Sequence, residues 1–165
     1  MSSDSTALRV DIGRRTTARM PSARSLATWA GAALGARAAG KEIAVQLVSA
    51  NESRRLNHHY RGKDSPTNVL SFPTTAPPGI RPQPLGDLVI CPVVLKREAR
   101  EQGKPERAHW AHLVVHGTLH LVGYDHECDS DAKRMERREI AVLRKLGFAN
   151  PYLLLDAQPQ RGRAK

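Results

Sequence analysis

The chain has 165 residues with 40% hydrophobic content, enough for one compact domain with a sizeable core and too little for two comfortable ones. Twenty-six basic residues stand against sixteen acidic ones for a formal net charge of +10, which favours a polyanionic partner such as nucleic acid or an anionic membrane surface. The two cysteines, Cys91 and Cys128, form no C-x-x-C pair and exclude a disulfide framework, while no basic leader and no apolar run of roughly 18 residues is present, so the reading is a soluble, cytoplasmic protein.

In chain order, residues 1–6 are polar, and Leu8, Val10 and Ile12 alternate with Arg9 and Asp11 as a half-buried strand would. Pro21 and Ser22 open an alanine-rich helix expected to reach Ala39, closed by Gly40. Ile43 to Val48 reads as a strand, after which Asn51 is the expected cap of a short helix through Arg54, Arg55 and Leu56. A further strand is expected around Val69 to Phe72. Residues 73–84 hold five prolines and read as a loop with no ladder to join.

Leu88 to Ile90 then form a short strand behind Gly86 and Asp87. Pro92 is the expected first-turn proline of a helix to about Gln102, Gly103 breaks it, and Pro105 starts another that lasts to about Val122 and stops at Gly123. Asp129 is the expected cap of a last helix with Met135, Ile140, Leu143 and Leu146 on its apolar side. The tail beyond Asp156 is polar and basic and reads as disordered. The predicted class is α+β: a mixed sheet packed with several helices, one domain over residues 1–156 and a basic tail at 157–165.

Five of the seven histidines fall between His109 and His126, in HWAHLVVHGTLHLVGYDH. On a helix, His112, His116 and His120 share an arc of about 80°, and the segment is apolar nearly all round, so a buried helix with an imidazole stripe is expected. Three stacked imidazoles multiply the desolvation problem, and a metal ion resolves it. His116 and His120 have the i,i+4 spacing of paired zinc ligands, and Gly123 permits a reversal that returns His126 as a third. Three neutral imidazoles leave one tetrahedral position free, the arrangement of catalytic rather than structural zinc. Cys128 reads as a bystander thiol and the His58–His59 pair as surface.

Where H-E-x-x-H peptidases place the catalytic glutamate, this chain has Gly117, so the peptidase reading loses its general base. Asp87, Asp125 and Glu127 are the candidate replacements, with orientation of a histidine an equal reading for each. His112 either contacts substrate or makes a structural hydrogen bond; His109 is a weaker candidate. A second dense segment, Tyr60 to Pro73, sets Arg61 and Lys63 around Gly62 in a turn-rich stretch that can present two cations to a phosphate.

HGTLHLVGYDH at 116–126 and NHHYRGKDSPTNVLSFP at 57–73 resemble the YbeY family of bacterial endoribonucleases and rRNA maturation factors. Gly86-Asp87-Leu88 and the M-E-x-x-E pattern of Met135, Glu136 and Glu139 are similar too. The resemblance implies a mixed sheet with a metal site at the end of the histidine-bearing helix, zinc held by His116, His120 and His126, and a catalytic Arg61. It further implies single-strand-specific RNA cleavage, 16S rRNA 3′ end maturation, ribosome quality control and a small-ribosomal-subunit partner. Two other readings stand beside it: a non-catalytic, zinc-stabilised RNA-binding protein of ribosome assembly, and a metallopeptidase.

Overall fold

A computed structural model describes residues 7–153. The elements in order are β1 (Arg9–Arg14), α1 (Ala23–Leu34), a 3₁₀ turn (Gly35–Ala38), β2 (Lys41–Leu47), α2 (Ala50–Arg61), β3 (Val69–Pro73), β4 (Gln83–Ile90), α3 (Pro92–Glu101), α4 (Glu106–Leu121) and α5 (Asp129–Lys145). The four strands form one sheet in the order β1-β2-β4-β3. β1 and β2, and β2 and β4, pair in parallel, while β3 and β4 are antiparallel. The α+β mixed-sheet expectation holds. The expected basic tail beyond Asp156 lies outside the described residues.

Alternation decides which side each strand buries. Ile43, Val45 and Leu47 of β2 and Leu88 and Ile90 of β4 face α1, α4 and α5 in the main core, with Leu26, Trp29, Trp110 and Leu119. A smaller cluster, Val48, Leu70, Val89, Cys91 and Val94, is covered by Leu56 of α2 and by Phe72. Helix α4 packs against β3, β4, α1, α3 and α5. That central position explains why its sequence shows no polar face.

Several boundaries differ from expectation. Helix α1 ends at Leu34, because Gly35 takes φ 59° and only a 3₁₀ turn continues. The cap of α2 is Ser49, not Asn51: its hydroxyl accepts from the Glu52 amide at 3.2 Å, and Ser49-Ala50-Asn51-Glu52 is the S-x-x-E capping pattern. The helix runs to Arg61, beyond the short one expected. Asp129 is the first residue of α5, with Cys128 in the cap position making no side-chain cap bond; Asp129 and Asp131 instead favour the positive helix start.

The proline-rich stretch does supply ladder residues: Gln83 and Pro84 pair with Lys41 and Glu42. The register then shifts so that Gly86 faces Ile43, a bulge that accommodates the proline. At φ 142° Gly86 brings its backbone so close to β3 that a Cβ there would sit 2.2 Å from the Phe72 carbonyl oxygen.

Candidate metal centre

Helix α4 and the reversal after it assemble the centre. His116 and His120 lie one turn apart near the end of α4. Gly123 then adopts φ 99°, donating its amide to the His120 carbonyl at 3.2 Å, and the Tyr124 amide returns to the Leu119 carbonyl at 3.1 Å. This turn carries His126 back. One ring nitrogen each from His116, His120 and His126 lies within 4.8 Å of the others, so the expected triad is brought together.

Hydrogen bonding fixes which nitrogens are free. His120 Nδ1 lies 2.9 Å from the Tyr124 carbonyl; a carbonyl only accepts, so Nδ1 carries the proton. His116 Nδ1 donates to Glu139 Oε1 at 2.6 Å. Both Nε2 atoms are therefore bare in the neutral rings, yet they face each other at 3.1 Å. Burial first, then the neighbouring His116 and His126, lowers the His120 pKa to about 4, so His120 does not relieve the opposed lone pairs by taking up a proton at neutral pH. A cation does. Two nitrogens on a tetrahedral ion at Zn–N distances of about 2.0–2.1 Å are about 3.3 Å apart, close to the observed separation. The donor set fits zinc or another divalent transition metal.

Behind the triad sits a residue absent from the expected site, Glu139, 1% exposed. It accepts from His116, from His112 Nε2 at 2.9 Å, and from the Tyr152 hydroxyl. Burial alone would raise its carboxyl pKa, but the hydrogen bonds and charges of His112 and His116 bring it down to about 2. His112, His116 and Glu139 also meet as a second group, here joined by hydrogen bonds. A carboxylate behind a ligating histidine fixes the ring's tautomer and raises its basicity. The sequence carries two signals for it: Glu139 closes the M-E-x-x-E pattern, and it is an acidic residue on the buried stripe of α5 between Met135, Val142 and Leu143.

The other expected residues fall elsewhere. Asp87, Asp125 and Glu127 are exposed; Asp125 accepts from the His126 backbone amide at 2.7 Å, and among the described residues none of the three bonds a triad imidazole. Arg61 is in the last turn of α2 rather than in a loop, with Gly62 left-handed behind it. Arg61 and Lys63 are both exposed, as are His58 and His59. Cys128 is exposed and outside the triad group.

Gly117 has a structural cause. A Cβ there would lie 2.9 Å from Leu88 Cδ2 and 3.2 Å from Ser71 Oγ, and the Ser71 hydroxyl donates to the Gly117 carbonyl at 3.1 Å. The position that holds the glutamate in H-E-x-x-H peptidases faces the sheet here.

Residues 16–147 match the family profile described as Endoribonuclease YbeY. A protein of Alkalilimnicola ehrlichii named Endoribonuclease YbeY is 57% identical over 141 residues, 83% of this chain and 85% of that protein. One of the same name from Methylococcus capsulatus is 54% identical over 139 residues, 84% of this chain and 91% of its own length. A solution structure of a Thermotoga maritima protein shares the fold, with a TM-score of 0.53 and 24% identity over 87% of this chain and 97% of that one. This chain belongs to the endoribonuclease YbeY family.

Proposed function

We propose that the chain is a zinc-dependent, single-strand-specific endoribonuclease of the cytoplasm that acts on rRNA of the small ribosomal subunit, in 16S 3′ end maturation and ribosome quality control. The observation that carries the reading is the pair of bare, opposed Nε2 atoms of His116 and His120, with His126 exposed beside them. Membership in the family and the net charge of +10 direct that centre toward RNA, drawn in by long-range attraction. No helix among the described residues is long and apolar enough to cross a membrane.

Bound zinc supplies Lewis acidity and an acidified water. The protein's part is to aim the ligand rings: Glu139 fixes His116 and the Tyr124 carbonyl fixes His120. Arg61 provides a guanidinium to oppose the charge that builds on the phosphate, with Lys63 as a second backbone contact. His112, its Nε2–H committed to Glu139, acts as a positioning residue. Attack by water leaves phosphate and hydroxyl ends, whereas attack by the RNA's 2′-hydroxyl leaves a 2′,3′-cyclic phosphate; mapping product ends distinguishes them.

The test compares wild-type, His120→Ala and Arg61→Ala proteins on single-stranded rRNA, with metal content measured on the same preparations. His120→Ala is expected to lose metal and cleavage together, and Arg61→Ala to keep metal and fold while cleavage falls at least about 100-fold. Full cleavage by Arg61→Ala sinks the arginine role. Metal-bound wild type that never cuts RNA favours the non-catalytic assembly reading.

A further inference from the structure

Of the two tryptophans, two phenylalanines and three tyrosines in the sequence, Tyr60 alone is exposed, at 60%. It lies in the last turn of α2, immediately before Arg61. The His59 ring meets it at 4.6 Å between centroids with an interplanar angle of 87°, and the Phe72 ring at 4.9 Å and 65°. Both contacts are T-shaped, a favourable aromatic geometry that braces the phenol ring. Neither neighbour lies flat on it, so at this exposure it keeps π surface open to solvent.

Its surroundings are cationic. Arg61 and Lys63 are exposed on either side of the left-handed Gly62. The acid that follows them, Asp64, is committed to Arg54, which donates to its two oxygens at 2.7 and 3.0 Å. No ion pair among the described residues involves Arg61 or Lys63. An isolated apolar side chain at the surface is ordinary, but a braced aromatic ring beside two unpaired cations fits a ligand that joins a flat π face to an anion. A nucleotide carries both in one unit.

The sheet places this ring relative to the metal centre. β3 is an edge strand, and alternation sends its neighbouring side chains to opposite faces. Ser71 turns toward α4, its hydroxyl donating to the carbonyl of Gly117, the residue after His116, at 3.1 Å. Phe72 turns toward α2 and supports Tyr60. The ring and the metal-bearing helix are thus tied to two consecutive residues of one edge strand, on opposite faces of the sheet. A single strand of RNA can bend around that edge with one base laid on the ring, whereas the bases inside a duplex are already stacked on their neighbours and offer no free face. We propose that Tyr60 is a base-stacking platform for single-stranded RNA, taking one unpaired base while Arg61 and Lys63 hold the adjoining phosphates. The proposal rests on the RNA reading above and deepens it: Tyr60 supplies the preference for single strands and, because every base has a π face, little preference for sequence.

The test mixes the metal-loaded full chain with a single-stranded RNA octamer carrying the fluorescent base 2-aminopurine at each position in turn, read by stopped flow before cleavage. Wild type and Tyr60→Phe are expected to quench one position, the signature of a base stacked on an aromatic ring. Tyr60→Leu keeps an apolar contact with Phe72 but has no π face. It should lose that quench and bind the octamer about tenfold more weakly, with duplex binding and metal content as in wild type. Equal quench and affinity in Tyr60→Leu overturn the platform. So does a wild type that binds the octamer and quenches no position, whether or not the variant folds. A quench that Tyr60→Leu abolishes, in a protein that cuts no RNA, upholds the platform and sinks the nuclease reading, while cleavage without any such quench does the reverse.

Discussion

A single buried carboxylate organises the centre more than any exposed acid near it. Glu139 joins α5 to two imidazoles of α4 and to Tyr152, so removing its charge disturbs partners on both sides. Glu139→Gln keeps the volume, but an amide cannot accept from His112, His116 and Tyr152 as a carboxylate does. Zinc affinity is expected to fall about 10–100-fold, read by competition with a chelating dye, and stability by about 1–3 kcal/mol in urea titration. Affinity equal to wild type would reduce Glu139 to a space-filling role. The triad was legible in the sequence because its signals are local: an i,i+4 pair and a glycine that permits the reversal. Glu139 was not, since its partners lie 27 and 23 residues away and only the packing of α5 on α4 brings them together.

Helix α4 shows how packing fixes chemistry. Its glycine at 117 allows the close approach of α4 to β3 and β4, with Leu88 and Val69 where a side chain would stand. Gly117→Ala gains helix propensity but must displace the Leu88 methyl or push α4 from the sheet. Overpacking of this kind costs about 1–3 kcal/mol, so net destabilisation in urea unfolding is expected, with weaker metal binding because His116 is the preceding residue. A stabilised variant would show that the helix yields freely. The elements themselves were largely legible from periodicity and from the glycine and proline punctuation. The exceptions have physical causes: a bulge let Gln83 and Pro84 join the ladder, and the Ser49–Glu52 cap starts α2 ahead of Asn51.

At the scale of the whole molecule, the main core and the metal centre meet along α4 and along α5, whose Glu139 backs the triad. Leu26, Trp29, Val45, Leu88, Leu119 and Leu143 pack among the sheet, α1, α4 and α5, while the triad ends on an exposed turn at His126. Folding is therefore expected to proceed without the ion, and chelation should remove only the linkage energy of binding. With free metal at 100 times its dissociation constant this is about 2.7 kcal/mol, or roughly 5–10 °C in Tm for a domain of this size. The sign follows from preferential binding to the native state: Tm falls on chelation and returns when zinc is added back. Far-UV circular dichroism at 25 °C should stay native, and the urea m-value should be unchanged because the same surface is exposed on unfolding. Loss of the folded signal on chelation at 25 °C would instead make the ion structural, as in small domains that fold only with metal, and would remove the distinction between fold and chemistry on which a hydrolytic centre depends.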